Sequence, residues 1–250
     1  MAFISNREDQ LLISRLDDLC FAVDKYRKPC FLGFLDERQK EICHDALKRR
    51  RISYHFWGGY EDAERTCLGL FAGDIIKNDF PIACVELKFR PSEQIGHRDI
   101  LGSLMGLNLK REAMGDIVVE EGKALLFVSP TVLPVILLEL DKVGRCGVKC
   151  RETTVEEIVV ERQFENISGT IASLRLDCTV AFLARCSRTD AVGLIRTGKV
   201  ALNGVVQEDI SRLIAEGCKI SVRGTGKFIY DGQHGTSKKD KLKVSFRRYS

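Results

Sequence analysis

The stretch between residues 175 and 204 constrains the fold of this chain more than any other part of its sequence. Its apolar residues recur at the spacing of one helix face, which predicts a short amphipathic helix with the stripe Leu176, Val180 and Leu183. Ser187 followed by Asp190 is typical of the N-terminal cap of a second helix, and Gly198 is the residue type that ends one. Two short helices in succession are therefore predicted.

Strands are predicted directly after the second helix. Lys199 to Leu202 indicates a strand, and Asn203-Gly204 is the strongest short signal for a hairpin turn, because both residues tolerate a left-handed backbone. A second strand follows from Val205-Val206 onward, and Lys219 to Arg223 forms a third. Two helices on such a small sheet would bring five basic side chains near the corner between the helices: Arg175, Arg185, Arg188, Arg196 and Lys199.

The positive charge of the chain is concentrated at this end. The whole chain carries 39 basic and 35 acidic residues, a formal net charge of +4. Residues 173–250 hold 15 lysines and arginines against 7 acidic residues, whereas residues 1–172 hold 24 against 28. A basic excess confined to one end is the electrostatic footprint of a nucleic-acid-binding region. The run from Lys238 to Arg248 predicts a basic tail that adds phosphate contacts.

These motifs resemble the S4 RNA-binding module, named for a protein of the small ribosomal subunit. The resemblance covers roughly Ala172 to Phe228, with R-L-D, S-R, G-x-V-x-x-N-G and V-R-G-x-G-K-F in order. The alternative is a small domain with a solvated basic face, but generic charge does not explain the ordered glycines and the Asn-Gly turn. An RNA-binding surface is therefore the favoured interpretation.

Two arginines are the first candidates for RNA contact. The guanidiniums of Arg175 and Arg188 are expected to bind phosphates in a bidentate manner, and Asp177 is expected to orient a neighbouring arginine. Further contacts are expected from Thr189, Arg196, Lys199, Arg223 and Arg185.

Residues 1–76 are expected to form an N-terminal α/β domain. The helical repeat of apolar residues from Leu11 to Val23 predicts a helix, and Asp36 to Arg50 predicts a second one. Strands are expected from Ile52 to Trp57 and in the stretch that ends at Phe71. This part of the chain therefore combines two helices with two strands.

Residues 77–165 are expected to form a central domain with the order βαββαβ, typical of a ferredoxin-like or RRM-like sheet packed on two helices. The predicted elements are strands at 81–89, 116–119, 124–128 and 148–154, and helices at 98–107 and 131–143. These strands lack the aromatic pattern with which RRM domains stack bases, so stacking on this sheet is not expected. With an S4-like domain at 172–250, the chain is predicted to be an α+β protein of three domains.

A second distinctive run extends the resemblance over nearly the whole chain. The segment from His97 to Glu112, H-R-D-I-L-G-S-L-M-G-L-N-L-K-R-E, is followed by Gly115-Asp116-Ile117 and preceded by Gly58-Gly59-Tyr60 and Ala63-Glu64-Arg65. Together these motifs resemble the YlmH family of bacterial S4-domain proteins. Asn108 stands where a glycine is expected, and asparagine tolerates the left-handed conformation that this turn requires.

The resemblance implies an RNA-binding protein that acts on large ribosomal subunits obstructed by peptidyl-tRNA. Its expected partners are rRNA and tRNA, with a translation-quality-control protein as a further partner, and a monomer is expected. The implied role is to hold the tRNA while another protein extends or releases the nascent chain. Secondary RNA contacts are expected from Arg98, Lys110, Arg111 and Lys227.

Composition and motifs argue against a membrane protein and a metal site. No apolar run reaches the ~18 residues that span a bilayer, and no signal peptide pattern opens the chain, so a cytoplasmic protein is expected. The ten cysteines are scattered, and only Cys146 and Cys150 lie close together without a matching second ligand pair. Neither a metal nor another cofactor is therefore expected.

Enzymatic readings are weaker than the binding interpretation. His97 is more typical of a hydrogen-bonding residue at a helix start than of a catalytic base. An RNA-modifying enzyme remains an alternative, but the L-R-L-D-C-T sequence at 174–179 lies inside the predicted S4 helix, and no glycine-rich cofactor turn follows a first strand. A cell-division or membrane-associated adaptor is the third reading, because a basic tail alone would permit it. No catalytic residue is predicted.

Overall fold

The computed structural model describes residues 7–73, 77–154, 164–237 and 239–249. The chain forms two compact units, residues 1–160 and residues 161–250. The predicted boundary at residue 76 has no counterpart in this division, and residues 74–76 and 155–163 lie outside the described ranges.

The first part of unit 1 packs two helices on one face of a small antiparallel sheet. Its elements are α1 (Arg7–Tyr26), β1 (Cys30–Leu35), α2 (Glu37–Leu47), β2 (Ser53–Trp57) and β3 (Thr66–Phe71), and the strand order is β1-β3-β2. Both helices and the last two strands match the predictions. Strand β1 was not predicted, because its apolar run C-F-L-G-F-L lacks the alternation that indicates a half-buried strand. It pairs with β3.

The second part of unit 1 has the predicted βαββαβ order. Its elements are β4 (Ala83–Lys88), α3 (His97–Gly106), β5 (Met114–Glu120), β6 (Lys123–Val128), α4 (Leu133–Glu139), β7 (Lys142–Val143), β8 (Cys146–Gly147) and β9 (Lys149–Thr153). The four long strands form an antiparallel sheet in the order β5-β6-β4-β9.

The predicted helix at 131–143 is too long. Helix α4 ends at Glu139, because Lys142 and Val143 leave the helical path to pair with Cys146 and Gly147 in a small hairpin. Gly144 has a positive φ of 59° in the turn of that hairpin. Apolar periodicity alone did not reveal this competing local pairing.

Both faces of the four-stranded sheet are buried inside unit 1. Along β6, Ala124, Leu126 and Val128 pack in the core that also contains Ile100 and Leu104 of α3. The alternate residues Leu125 and Phe127 pack in a second core that contains Phe34 of β1 and Phe71 of β3. The face on which an RRM domain stacks bases therefore packs here against the three-stranded sheet.

Unit 2 packs two short helices on a six-stranded antiparallel sheet. Its elements are β10 (Phe164–Ile171), α5 (Leu176–Leu183), α6 (Arg188–Arg196), β11 (Val200–Leu202), β12 (Val205–Val206), β13 (Lys219–Val222), β14 (Gly226–Thr236) and β15 (Leu242–Tyr249). The strand order is β10-β15-β14-β13-β11-β12. The core between helices and sheet contains Leu176, Val180, Ile195, Phe228 and Phe246.

Local backbone geometry explains why the two helices and the hairpin of unit 2 form as predicted. Gly198 ends α6 with a φ of 67°, and its amide donates to the carbonyl of Ile195 while the amide of Lys199 donates to that of Leu194. Asn203 and Gly204 have φ values of 47° and 75°, as a type I′ turn requires. These predictions are confirmed.

The predicted tail conformation is wrong for residues 242–249, whereas the phosphate contacts of this segment stay a prediction and Lys238 lies outside the described residues. Strand β15 lies between β10 and β14, so this segment is an inner strand of the sheet. Val244 and Phe246 point into the core, whereas Lys243 is exposed, which is the alternation of a half-buried strand. In the sequence, the many charged residues of this segment make the alternation of buried and exposed side chains hard to recognise.

Candidate nucleic-acid interface

Asp177 is the centre of a cluster that joins the two helices of unit 2. Its carboxylate is 2% exposed, although it belongs to the first turn of α5. Arg175 donates from Nε to Oδ1 at 3.2 Å and from Nη2 to Oδ2 at 3.1 Å. Arg188, at the start of α6, donates to Oδ2 from Nε at 2.9 Å and from Nη2 at 2.7 Å. One buried carboxylate therefore holds two guanidiniums.

The electrostatics of the cluster favour its charged form. Burial alone would raise the pKa of Asp177, but the hydrogen bonds from Arg175 and Arg188 and from the amide of Cys178 outweigh burial and lower that pKa to about 2. Both arginine side chains reach solvent, with exposed fractions of 37% for Arg175 and 59% for Arg188. The arrangement is a pair of oriented cations whose outer edges face water.

The backbone at the start of α5 fixes Arg175. The amide of Leu176 donates to the carbonyl of Arg212 at 2.8 Å, and the amide of Asp177 donates to that of Ile210 at 3.1 Å. Arg175 also forms a β-bridge with Leu213. These bonds tie α5 to the loop before β13 and bring the exposed Arg212 close to Arg175. Arg212 was not predicted as a contact residue, since its only signal in the sequence was a basic residue in a loop.

The start of α6 places two more predicted residues beside the cluster. Ser187 caps the helix, because its Oγ accepts from the amide of Asp190 at 3.1 Å and donates to the Asp190 carboxylate at 2.6 Å. Arg188 and Thr189 are thus the first two residues of the helix, and both are exposed. Since a helix N-terminus attracts anions, these positions suit phosphate oxygens.

The other predicted residues of unit 2 are distributed over several helices, strands and turns. Lys199 and Arg223 are brought together, because the amide of Arg223 donates to the carbonyl of Lys199 at 2.9 Å, and both side chains are exposed. Arg196 is exposed in the last turn of α6. Arg185 is exposed directly after α5, with a φ of 51°. Lys227 belongs to the sheet, where its ammonium lies 5.1 Å from the Tyr249 ring.

Among the secondary candidates in unit 1, Arg98 and Lys110 differ from Arg111. Arg98 is exposed in the first turn of α3, and Lys110 is exposed before a short helical turn. Arg111 is half-buried, and its Nη1 donates to the carbonyl of Met114 at 3.0 Å. Burial, with the nearby Arg65 guanidinium, lowers the pKa of Arg111 to about 10. Arg111 therefore has a structural position, which does not favour the predicted RNA contact.

The motifs around residues 58–65 and 115–117 meet in one hydrogen-bonded network. Asp116 accepts from the Tyr60 hydroxyl at 2.6 Å and from the amides of Glu64 at 2.7 Å and Arg65 at 3.0 Å. The Arg65 guanidinium donates to the carbonyls of Met114, Phe34 and Arg111. Asn108 adopts the predicted left-handed backbone, with a φ of 56°. These motif residues therefore hold the two sheets of unit 1 together.

Neither a metal cluster nor a membrane-spanning helix is found in the ranges that the structure describes. No group of three or more metal-ligating side chains occurs there. None of the described helices combines the length and the apolar character that crossing a bilayer requires. The ten cysteines are free thiols, and burial raises the pKa of Cys43, Cys67 and Cys84 to about 12.

Comparisons with known proteins agree with an RNA-binding class. The family model "Putative RNA-binding domain in YlmH" matches residues 76–157. The "Ribosome-associated protein quality control protein P2" of Bacillus subtilis is 33% identical over 219 residues, which cover 86% of this chain and 85% of that protein. The chain belongs to the YlmH family. The predicted family is confirmed.

A solved structure supports the fold. "Cell division protein ylmH from Streptococcus pneumoniae" superposes with a TM-score of 0.54 and 21% identity, and the match covers 64% of this chain and 99% of that one. At this identity the likeness concerns the fold alone. The family match at 76–157 also draws attention to Arg98 and Lys110, which are exposed within it.

Proposed function

We propose that this protein is a non-catalytic RNA-binding protein that recognises structured rRNA and tRNA on the large ribosomal subunit and acts in the rescue of obstructed peptidyl-tRNA complexes. The name of the Bacillus subtilis relative supports a ribosome-associated role. Residues 172–250 serve as an S4-like domain and residues 77–165 as a ferredoxin-like domain. The protein works as a monomer in the cytoplasm, alongside a translation-quality-control protein and without a cofactor.

One observation carries the proposal: the buried carboxylate of Asp177 orients Arg175 and Arg188 side by side. Each guanidinium directs Nε and Nη2 at the carboxylate and leaves its Nη1 edge for an external acceptor. Two oriented guanidiniums match successive phosphates of a folded RNA better than freely rotating lysines would. Their orientation is fixed before binding, so less conformational entropy is lost when the RNA binds. Lys199 and Arg223 form a second pair of exposed cations in the same unit, which the bond from the Arg223 amide to the Lys199 carbonyl brings together.

The primary test is co-sedimentation with ribosomes from cells that contain the tagged full-length protein. The protein should sediment with the large subunit, and nuclease treatment should release it. Cross-linked RNA recovered from the same cells should map to ribosomal and tRNA positions. Recovery of messenger RNA alone would contradict the ribosomal assignment.

A variant of Arg188 tests the site itself. Arg188→Ala should weaken binding of a structured RNA and lower the slope of log affinity against log salt by about one phosphate contact. Arg49→Ala, which removes an exposed arginine two residues after α2, is the matched control and should change neither quantity. Equal affinity and equal salt slope for the Arg188 variant and the wild type would refute the assignment.

A second candidate is an adaptor in cell division, which the concentration of basic charge in residues 173–250 would permit. For this candidate, the protein should stay at the division site after nuclease has removed the ribosomes, whereas a ribosome-bound protein should be lost from it. An RNA-modification accessory would instead change the modified-nucleoside content of ribosomal RNA when the gene is deleted.

A further inference from the structure

The sheet of unit 2 has an outer face that the helices do not cover. In β15, Val244 and Phe246 point into the core, so Lys243, Ser245 and Arg247 point to the opposite side. The register of β10 with β15 carries this alternation across to Asn166, Ser168 and Thr170, which are exposed. We refer to this side of the six strands as the outer face.

Aromatic rings and a lysine form a row across three strands of the outer face. Phe164 of β10 pairs with Tyr249 of β15, and their ring centroids are 5.1 Å apart. The Lys227 ammonium of β14 lies 5.1 Å from the centroid of the Tyr249 ring. Ser221 of β13 pairs with Lys227 and continues the row. Two rings and a cation are therefore aligned across neighbouring strands.

A second row lies directly beside the first. Asn166 pairs with Arg247, Arg247 pairs with Ile229, and Ile229 pairs with Lys219. The Arg247 guanidinium lies 4.9 Å from the centroid of the Phe164 ring, and its Nε donates to Asp231 at 2.8 Å. Each aromatic ring thus has a cation within a short distance.

The charge of the outer face is positive. Its basic side chains are Lys219, Lys227, Lys243 and Arg247, and among the described strand residues of this face Asp231 is the acidic one. A nucleotide needs a flat ring for its base and a cation for its phosphate, and the two rows present both at neighbouring positions. An acidic peptide would use the cations but would leave the paired rings unexplained.

We propose that the outer face, centred on Phe164, Tyr249, Lys227 and Arg247, binds unpaired RNA nucleotides by base stacking and phosphate contact. This surface is separate from the cluster at Asp177, because it lies on the opposite side of the sheet from α5 and α6. It goes beyond the proposed recognition of structured RNA: one domain would hold folded RNA on its helices and a single-stranded segment on its sheet.

The experiment uses the full-length protein and two fluorescein-labelled RNAs, a short unstructured oligonucleotide and a stem-loop, followed by fluorescence anisotropy. Tyr249→Leu should weaken binding of the oligonucleotide by about 10-fold, the loss expected for one stacked base, without changing the salt slope. Tyr249→Phe retains the ring and should restore the affinity. Lys243→Gln should lower the salt slope for the oligonucleotide by about 0.7.

Control variants separate this proposal from the proposed function. Phe21→Leu removes an aromatic ring that is 65% exposed on α1 and should leave both RNAs bound as in the wild type. Unchanged oligonucleotide affinity in Tyr249→Leu, with a normal circular dichroism spectrum, would overturn the proposal even if Arg188→Ala weakens the stem-loop. A labelled acidic peptide is the second control probe. If Tyr249→Leu weakens binding of this peptide and leaves RNA binding unchanged, the proposal is overturned as well.

Discussion

Asp177→Asn is the most informative single substitution, because it removes one negative charge and keeps the shape of the side chain. The carboxylate is 2% exposed and accepts hydrogen bonds from two arginines and one backbone amide. Asparagine replaces one acceptor oxygen by a donor, so the two guanidiniums lose their common anchor. Both the free energy of unfolding and the affinity for RNA should therefore decrease.

The expected loss of stability follows from the pKa of Asp177. Its fall from the ordinary 3.8 to about 2 corresponds to a contribution of about 2 kcal/mol to the free energy of unfolding at neutral pH. The arginines are 37% and 59% exposed and regain water in the variant, so the loss should stay below the ~3–5 kcal/mol of a broken, fully buried pair.

The pH dependence has a definite sign. Because the pKa is lower in the folded state, the stabilisation is complete above about pH 4 and is lost as the pH falls towards 2. Across this pH range, the free energy of unfolding measured by urea denaturation should fall by about 2 kcal/mol more for the wild type than for the variant. Parallel acid profiles for the two proteins would refute the assigned role of Asp177.

RNA binding supplies a second and independent criterion. A surface that attracts RNA only through net charge should bind more tightly when a carboxylate is removed, since the variant gains one positive charge. A surface that relies on oriented guanidiniums should bind more weakly, by about tenfold for one lost bidentate contact of about 1.4 kcal/mol. Tighter binding by Asp177→Asn would therefore contradict the proposed arrangement.

Two further substitutions test other parts of the structure. Arg185→Gly relieves a left-handed backbone with a φ of 51° and should raise the free energy of unfolding by about 1 kcal/mol while it weakens binding of structured RNA, as measured by urea denaturation and anisotropy. Tyr60→Phe removes the hydroxyl that donates to buried Asp116 and should cost about 1–2 kcal/mol in the same denaturation assay, with RNA affinity unchanged.

Both predictions have simple controls. Arg185→Ala removes the charge but keeps the strained backbone, so it should weaken RNA binding without the gain in stability. If the glycine and alanine variants are equally stable, the backbone strain at residue 185 is absent. A loss of RNA affinity in Tyr60→Phe would show that the network around Asp116 does more than hold unit 1 together.

Elements fixed by local signals were predicted from the sequence. Helix α6 has its capping serine and its terminal Gly198, and the turn at Asn203-Gly204 requires backbone angles that few residues adopt. Each signal acts over a few residues and needs no distant partner. Strands β10 and β14 were missed, because a strand is stabilised by pairing with segments far away in the sequence.

The candidate site was predicted in composition but not in geometry. The motif indicated Arg175, Asp177 and Arg188, and the suggestion that Asp177 orients an arginine agrees with the hydrogen bonds that it accepts. The sequence did not reveal that the same carboxylate serves both helices. Arg111 belongs to the second distinctive run, residues 97–112, yet its guanidinium faces the backbone of unit 1.

The amino-acid sequence alone determined the family, the concentration of basic charge in residues 173–250 and the order of helices and turns around Asp177, because these depend on composition and near neighbours. Tertiary packing decided the rest. It buried the Asp177 carboxylate between two helices, and it turned the apparent basic tail into strand β15. Burial and strand pairing join residues that are distant along the chain, and therefore only the folded structure shows which charged groups meet.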